Sequence, residues 1–208
     1  MVYRATARTE AQRMNTRQCI LEAAQRRVLA GGFAAVSMGA VAADAGVATG
    51  TLYRHFRNKA ELCTELFRTA SGREVEVVRR IACGPGGAGE RLERVARVFT
   101  GRAIRGRHLA WALIAEPLDP VLEQERLDFR RVYADLFRAL LDEGMAGEEF
   151  AALDSRVAAT ALVGVMAETL VGPLAPASRP LDASEQRRLT DEICRFCLSA
   201  VESNRRVP

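Results

Sequence analysis

The chain has 208 residues, 30 of them lysine or arginine against 26 acidic, and a net charge of +4. Hydrophobic residues at 49% can build a core, charged residues at 27% exclude wholesale disorder, and the length admits one large domain or a small one beside a medium one. No charged-then-apolar leader opens the sequence and no charge-free apolar run reaches about 18 residues, so a cytoplasmic protein with no membrane contact is expected.

In chain order, residues 1–15 read as a basic arm carrying Arg4, Arg8 and Arg13. A first helix begins near Thr16, with Ile20, Ala24 and Val28 four apart, and stops at Gly31-Gly32. Ser37 is placed to cap a second helix, whose Met38, Val41, Ala42 and Ala45 form one apolar stripe. Gly46 ends it, because the turn needs a residue tolerant of positive φ. Val47 points inward, and Thr49 to His55 form a short third helix anchored by Leu52 and Phe56. Its other side chains, Thr49, Thr51, Tyr53, Arg54 and His55, are free to meet a groove. This is the pattern of a DNA-binding helix-turn-helix. An ordinary helical hairpin is the plainer alternative, but it has no need of Thr-Gly-Thr followed by Tyr-Arg-His. The charge agrees: residues 1–59 hold nine basic and three acidic residues, and the remainder holds 21 against 23.

Residues 46–62, Gly-Val-Ala-Thr-Gly-Thr-Leu-Tyr-Arg-His-Phe-Arg-Asn-Lys-Ala-Glu-Leu, resemble the signature of the tetracycline-repressor (TetR) family of one-component regulators. The resemblance is specific over residues 16–66; beyond them only length and an all-helical pattern support it. It implies an all-α chain. An N-terminal three-helix helix-turn-helix DNA-binding domain, 16–60, would follow the arm, and a C-terminal helical effector-binding and dimerisation domain would fill 61–208. It also implies that Gly50, Thr51 and Tyr53 sit on the recognition helix and that Lys59 opens the next helix beside the phosphates. One position departs from the family pattern: a hydroxyl residue is usual where this chain has Ala48. Either Thr49 takes over its capping role or the helix start is less firmly fixed. Arg17, Ser37, Thr49, Thr51, Tyr53, His55 and Lys59 are expected mostly at phosphates, and Arg54 is the side chain best suited to a guanine edge.

A fourth helix starts at Asn58, which with Glu61 makes a capping-box pattern, and runs through Leu62, Leu66, Val77 and Ile81 to the glycine-rich break at 83–89. Helices then follow at 88–105 and 107–115, interrupted by Glu116-Pro117. A long one begins at the Asp119 cap with Pro120 in its first turn, carries Leu122, Phe129, Val132, Leu136 and Leu140, and stops at Gly144. Asp154 caps a helix to about Leu170, ahead of Gly172-Pro173, and Asp182 with Glu185 caps the last helix. Residues 157–167 carry no charge on any side, so this helix should be buried all round. Too short for a membrane, it should face its own core on one side and another subunit on the other. Ala158, Ala161, Leu162 and Val165, with Ile193, Phe196, Cys197 and Ala200 on the last helix, are the expected interface of a homodimer built as a four-helix junction. A monomer that buries the helix centrally is the alternative.

Twofold-related heads would read a near-palindromic operator in double-stranded DNA. The resemblance further implies a body cavity for a small-molecule effector of unknown identity. Phe99, His108, Trp111, Phe129, Tyr133, Phe137 and Met166 are candidate lining residues, Trp111 and Tyr133 first because each has a polar group that needs a partner. At helical spacing the same residues serve equally as core. Glu168 could face a cationic ligand, pair across the dimer or reach solvent. The expected function is ligand-gated repression, the signal passing through the fourth helix; an activator, a ligand-independent regulator and a helical adaptor are the alternatives. An enzyme is not expected, since Gly-x-Ser-x-Gly, His-Glu-x-x-His and phosphate-loop motifs are absent. No cofactor or metal set is expected either. The five cysteines read as reduced thiols, Cys194-x-x-Cys197 being a weak signal inside an amphipathic helix.

Overall fold

The computed structural model describes residues 7–202. Arg4 and the Asn204–Pro208 tail lie outside them, as does most of the first half of the expected arm. Residues 7–15 are not an arm: they form the first turns of α1 (Ala7–Gly31). That stretch holds no glycine or proline, and its Ala, Gln, Arg and Met are good helix formers, so the helix starts nine residues before Thr16.

A single 3-10 turn, Phe33–Ala35, separates α1 from α2 (Met38–Asp44), α3 (Thr49–His55) and α4 (Lys59–Ala82). The Ser37 hydroxyl accepts from the Ala40 N–H at 3.3 Å and caps α2, and Gly46, at φ +66°, makes the turn into α3. No side chain caps α3. Its start is held by the Ala48 carbonyl, which accepts from Thr51 and Leu52, so Thr49 does not stand in for the missing hydroxyl. At α4, Asn58 accepts from Glu61 N–H at 2.9 Å, but the Glu61 carboxylate reaches the Arg57 N–H, one residue beyond the capping box expected.

The body is α5 (Ala88–Arg105), α6 (Arg107–Ile114), α7 (Pro120–Ala146), α8 (Ser155–Leu174) and α9 (Ala183–Ser199). α7 lies between α4 and α8, and α9 packs on α5. Two helix ends fall later than the sequence suggests. α7 runs through Gly144, whose missing side chain makes room for the Phe150 ring; the chain turns instead at Glu148, φ 58°. α8 runs through Gly172-Pro173, because the Arg107 guanidinium gathers the carbonyls of Leu174, Ala175 and Ser178 at its C-terminus. With Asp182 and Glu185, α9 makes the full capping box.

The buried side chains form two clusters. One joins Ile20, Val28, Phe33, Val41, Leu52, Phe56 and Phe67 with Ala112 and Leu122 from α6 and α7. The other joins Leu92, Phe137, Leu141, Leu162, Met166, Leu170 and Ile193. Cys194 and Cys197 are buried free thiols in the second, Cys197 pushed up to about 11 by burial, so this pair packs rather than reacts.

Residues 157–167 of α8 carry no charge, yet they are not buried on every side. Ala159, Leu162, Met166, Leu170 and Leu174 turn inward, whereas Val157 is 67% exposed and Ala161, Gly164 and Glu168 lie open. At 20 residues it is also longer than the sequence suggests, and by length and composition alone it could cross a membrane; the core helix of a soluble protein passes the same test.

Candidate nucleic-acid interface and body cavity

α3 is set on the head by Leu52 and by the Phe56 that follows it, both fully buried. Everything else on it faces out. Thr49, Gly50 and Arg54 are exposed, Tyr53 is 49% exposed, and Thr51 and His55 are half-buried. A Cβ at Gly50 would meet nothing within 4 Å, so no packing within the chain requires glycine there. A close approach by another molecule's backbone would. Arg54 rests on its own helix, donating to Thr51 Oγ1 at 2.8 Å, and would have to swing out to reach a base edge.

The cations differ from expectation in one respect. Arg17 is held by both oxygens of Glu65 and lies over the Phe56 ring at 4.9 Å, so it ties α1 to α4 rather than standing free for phosphate. Arg27 is likewise held by Asp44 at 2.6 Å. Arg13, Arg57 and Lys59 are exposed and have no ion-pair partner among the described residues. Of these only Lys59 stood out in the motif; Arg13 and Arg57 were visible as charge but not as free charge. Partial burial and the nearby Arg13, Arg17 and Arg54 hold the His55 imidazole below its ordinary 6.5, so it is neutral in the free head at pH 7.

The body encloses a cavity of about 400 Å³ among α4, α5, α6, α7 and α8. Phe99, Phe129, Tyr133, Phe137 and Met166 line it, five of the seven candidates. His108 and Trp111 do not. The His108 ring meets the Leu29 carbonyl at 3.0 Å, on the head side of α6, and Trp111 packs into the body core. Leu109, Leu113, Ile114 and Val163 complete an apolar wall, with Phe67 from α4.

Of the polar part of the wall, only Tyr133 was legible in the sequence. Glu74 and Arg102 pair across α4 and α5 at 2.7 Å, and the Tyr133 hydroxyl beside them is pushed up by burial and by Glu74. Ser71 lines the same side. Arg126 is buried and spent: it donates to the carbonyls of Ala112, Leu113 and Glu116 and pairs with Glu123 at 2.7 Å. Arg105 and Arg130 are exposed, line the opening and have no ion-pair or hydrogen-bond partner among the described residues. An apolar hollow with two free guanidinium groups at its edge suits a molecule with a long apolar part and an anionic one.

On the outer surface of α8 and α9, the expected interface residues divide. Ala161, Phe196 and Ala200 are exposed, Phe196 by 60%, and Ala158 and Val165 are half-buried. Leu162, Ile193 and Cys197 point into the chain's own core and are unavailable to a second subunit. The open face instead includes Val157 and Gly164.

Comparison with known proteins gives matches over both the head and the body. Residues 20–66 match the family described as "Bacterial regulatory proteins, tetR family", and residues 85–170 match "Tetracyclin repressor-like, C-terminal domain". The chain is similar to the fatty acid metabolism regulator protein of Bacillus subtilis (strain 168), 27% identical over 154 residues, or 73% of this chain and 79% of that protein. Its fold is similar to that of the fatty acid degradation regulator FadR from Bacillus halodurans, at a TM-score of 0.73, 22% identity, and coverage of 88% of this chain and 94% of that one. It is similar also to FadR from Bacillus subtilis in complex with stearoyl-CoA, at a TM-score of 0.71, 23% identity, and coverage of 89% and 99%.

Proposed function

Because the chain belongs to the tetR family of bacterial regulatory proteins, DNA-binding transcription regulators rather than enzymes, we propose that it is a dimeric repressor released from a near-palindromic operator by a long-chain acyl-coenzyme A. The carrying observation is the cavity: apolar inside, with Arg105 and Arg130 unpaired at its edge. Stearoyl-CoA, with which FadR from Bacillus subtilis forms a complex, has that division of character, an acyl tail beyond a polyphosphate-bearing nucleotide.

Magnitudes assign the parts. Burying a chain of a dozen methylenes is worth on the order of 10 kcal/mol before ordering costs, at about 0.8 kcal/mol each. Exposed arginine–phosphate pairs add about 0–1 kcal/mol each. The tail therefore supplies affinity, and the arginines select an anionic head group. The cavity's Glu74–Arg102 pair, with Tyr133 and Ser71, offers polar contact to a group such as the thioester.

On the DNA side, Gly50, Thr51, Tyr53, Lys59, Arg13 and Arg57 contact the backbone, and Arg54, once released from Thr51, reads a base. The twofold partner joins through the outer faces of α8 and α9 and sets the two heads about 34–36 Å apart, one helical turn of DNA or a multiple of it. Repression follows when that site overlaps a promoter. Selection of bound duplexes from a random library tests the reading. The expected product is an enriched near-palindrome bound by two chains with affinity falling steeply in salt; an enriched site without twofold symmetry counts against it.

A further inference from the structure

Two contacts from the body converge on one turn of the head. The Glu116 carboxylate, only 7% exposed, accepts from the Phe33 N–H and the Ala34 N–H, both at 3.0 Å, across 82 and 83 residues of chain. These are the opening N–H groups of the 3-10 turn, so without Glu116 they would be left unsatisfied on one side. Gly32 makes the approach possible: its φ is +71°, and a Cβ there would lie 2.5 Å from a Glu116 oxygen. From the other direction, the Phe33 ring stands 5.8 Å from that of Phe67, which stands 6.1 Å from Phe129. Phe67 and Phe129 both line the cavity.

Glu116 is itself placed by a cavity residue. Arg126 Nη2 donates to the Glu116 carbonyl at 2.6 Å and to Ala112 at 3.3 Å, and Nε donates to Leu113 at 3.0 Å, so one guanidinium fixes the end of α6 and the residue that grips the head. Arg126, Leu113 and Phe129 are all cavity wall. Arg126 thus ties the last turn of α6 to the backbone of Glu116.

We propose that Glu116 is the residue that couples the cavity to the DNA-binding head, acting as a carboxylate clasp on the Phe33–Ala34 turn that an occupant of the cavity loosens or re-aims. The identity of the occupant rests on the function proposed above; the clasp does not. Arg17–Glu65, which also ties α1 to α4, is then a fixed brace and not the signal path. Coupling through named contacts requires a measurement of coupling, not proximity alone.

The test compares Glu116→Gln, Gly32→Ala and Glu65→Gln with the unaltered protein, using stearoyl-CoA as probe and the selected duplex as DNA. The unaltered protein should lose about 5- to 150-fold in operator affinity on adding the probe. Glu116→Gln and Gly32→Ala should still bind the probe in calorimetric titration, yet lose all but about 3-fold of that response, while Glu65→Gln keeps it whole. Retention of the full response by both clasp variants, or its equal loss in Glu65→Gln, overturns the proposal. If stearoyl-CoA neither binds nor releases the unaltered protein, the effector reading fails, and amide exchange in Arg126→Met decides the clasp. Faster exchange at Phe33 and Ala34, by about 10-fold with the rest of the head unchanged, supports it; unchanged exchange there overturns it.

Discussion

In the head, α2, α3 and the Phe56 that follows bury Met38, Val41, Leu52 and Phe56 and turn polar and basic side chains outward, whereas in the body α8 and α9 leave Val157 and Phe196 in the open and the helices from α4 to α8 surround a hollow of about 400 Å³. The head is finished as a protein surface and lacks only a polyanion. The body is unfinished as a single chain on both sides, its outer face uncovered and its interior underfilled. On the function proposed above, nucleic acid takes the finished surface, and a second subunit and a small molecule take the two unfinished ones.

The sharpest way to break this comparison is to charge the outer face. Val157→Glu with Phe196→Glu should give a monomer in sedimentation velocity and cost roughly 100-fold or more in operator affinity, because the second head's binding is no longer intramolecular. Circular dichroism should be unchanged, since neither side chain contributes to the core. A persistent dimer would mean that the subunits meet elsewhere.

Filling the hollow comes next. Ala103 lines the cavity and is buried, so Ala103→Trp should occupy the space proposed for an acyl tail. Operator binding should stay within about 3-fold while the release by stearoyl-CoA, about 5- to 150-fold in the unaltered protein, disappears. At the cavity edge, Arg105→Glu with Arg130→Glu should weaken stearoyl-CoA by about 10-fold in low salt and by less at high salt, where exposed charges are screened. Calorimetric titration at two ionic strengths reads both.

A smaller effect separates stability from recognition in the head. Gly50→Ala meets no neighbour and relieves a glycine within a helix, so the midpoint of thermal unfolding should rise, consistent with about 0.5–1 kcal/mol. Operator affinity should nonetheless fall by about 10-fold if DNA backbone approaches that Cα. Loss of both together would point to a packing role that the free head does not contain.

The smallest concerns pH. His55 is held below 6.5 in the free head, so folding favours its neutral form and head stability falls slightly as pH drops through that value. A phosphate beside it reverses the balance, raises its pKa and couples binding to proton uptake. Operator affinity should therefore rise by about 2- to 3-fold as pH falls from about 7.5 to 6, and His55→Gln should abolish the slope. An identical slope in the variant would place His55 away from phosphate.

The legibility of the two regions in sequence differs for the same physical reason. The head is made of local signals: the Ser37 cap, the positive-φ Gly46 and the Leu52–Phe56 anchor each act within a few residues, and they fix α2 and α3 to within a residue. What misled there was long-range, the Glu65 that claims Arg17 from 48 residues away. In the body, the aromatic spacing on α5 and α7 marked four residues that line the cavity, Phe99, Phe129, Tyr133 and Phe137, but not which face of α6 it used, and His108 and Trp111 turned elsewhere. Gly144 and Pro173 looked like terminators because their roles depend on Phe150 and Arg107, distant in sequence. Glu116 carried no pattern at all. Beside Pro117 it read as a break between helices, and only the folded chain brings it to Phe33 and Ala34.

If the content of the body cavity controls the head's hold on DNA, one titration shows it most directly. The selected operator duplex, labelled and saturated with the dimer, is followed by fluorescence anisotropy as stearoyl-CoA is added. The expected result is a saturable fall to the anisotropy of free duplex, with the midpoint shifted to higher ligand as operator concentration is raised, since coupling is reciprocal. Anisotropy that stays at the bound value while calorimetric titration shows that the ligand has bound would contradict that control.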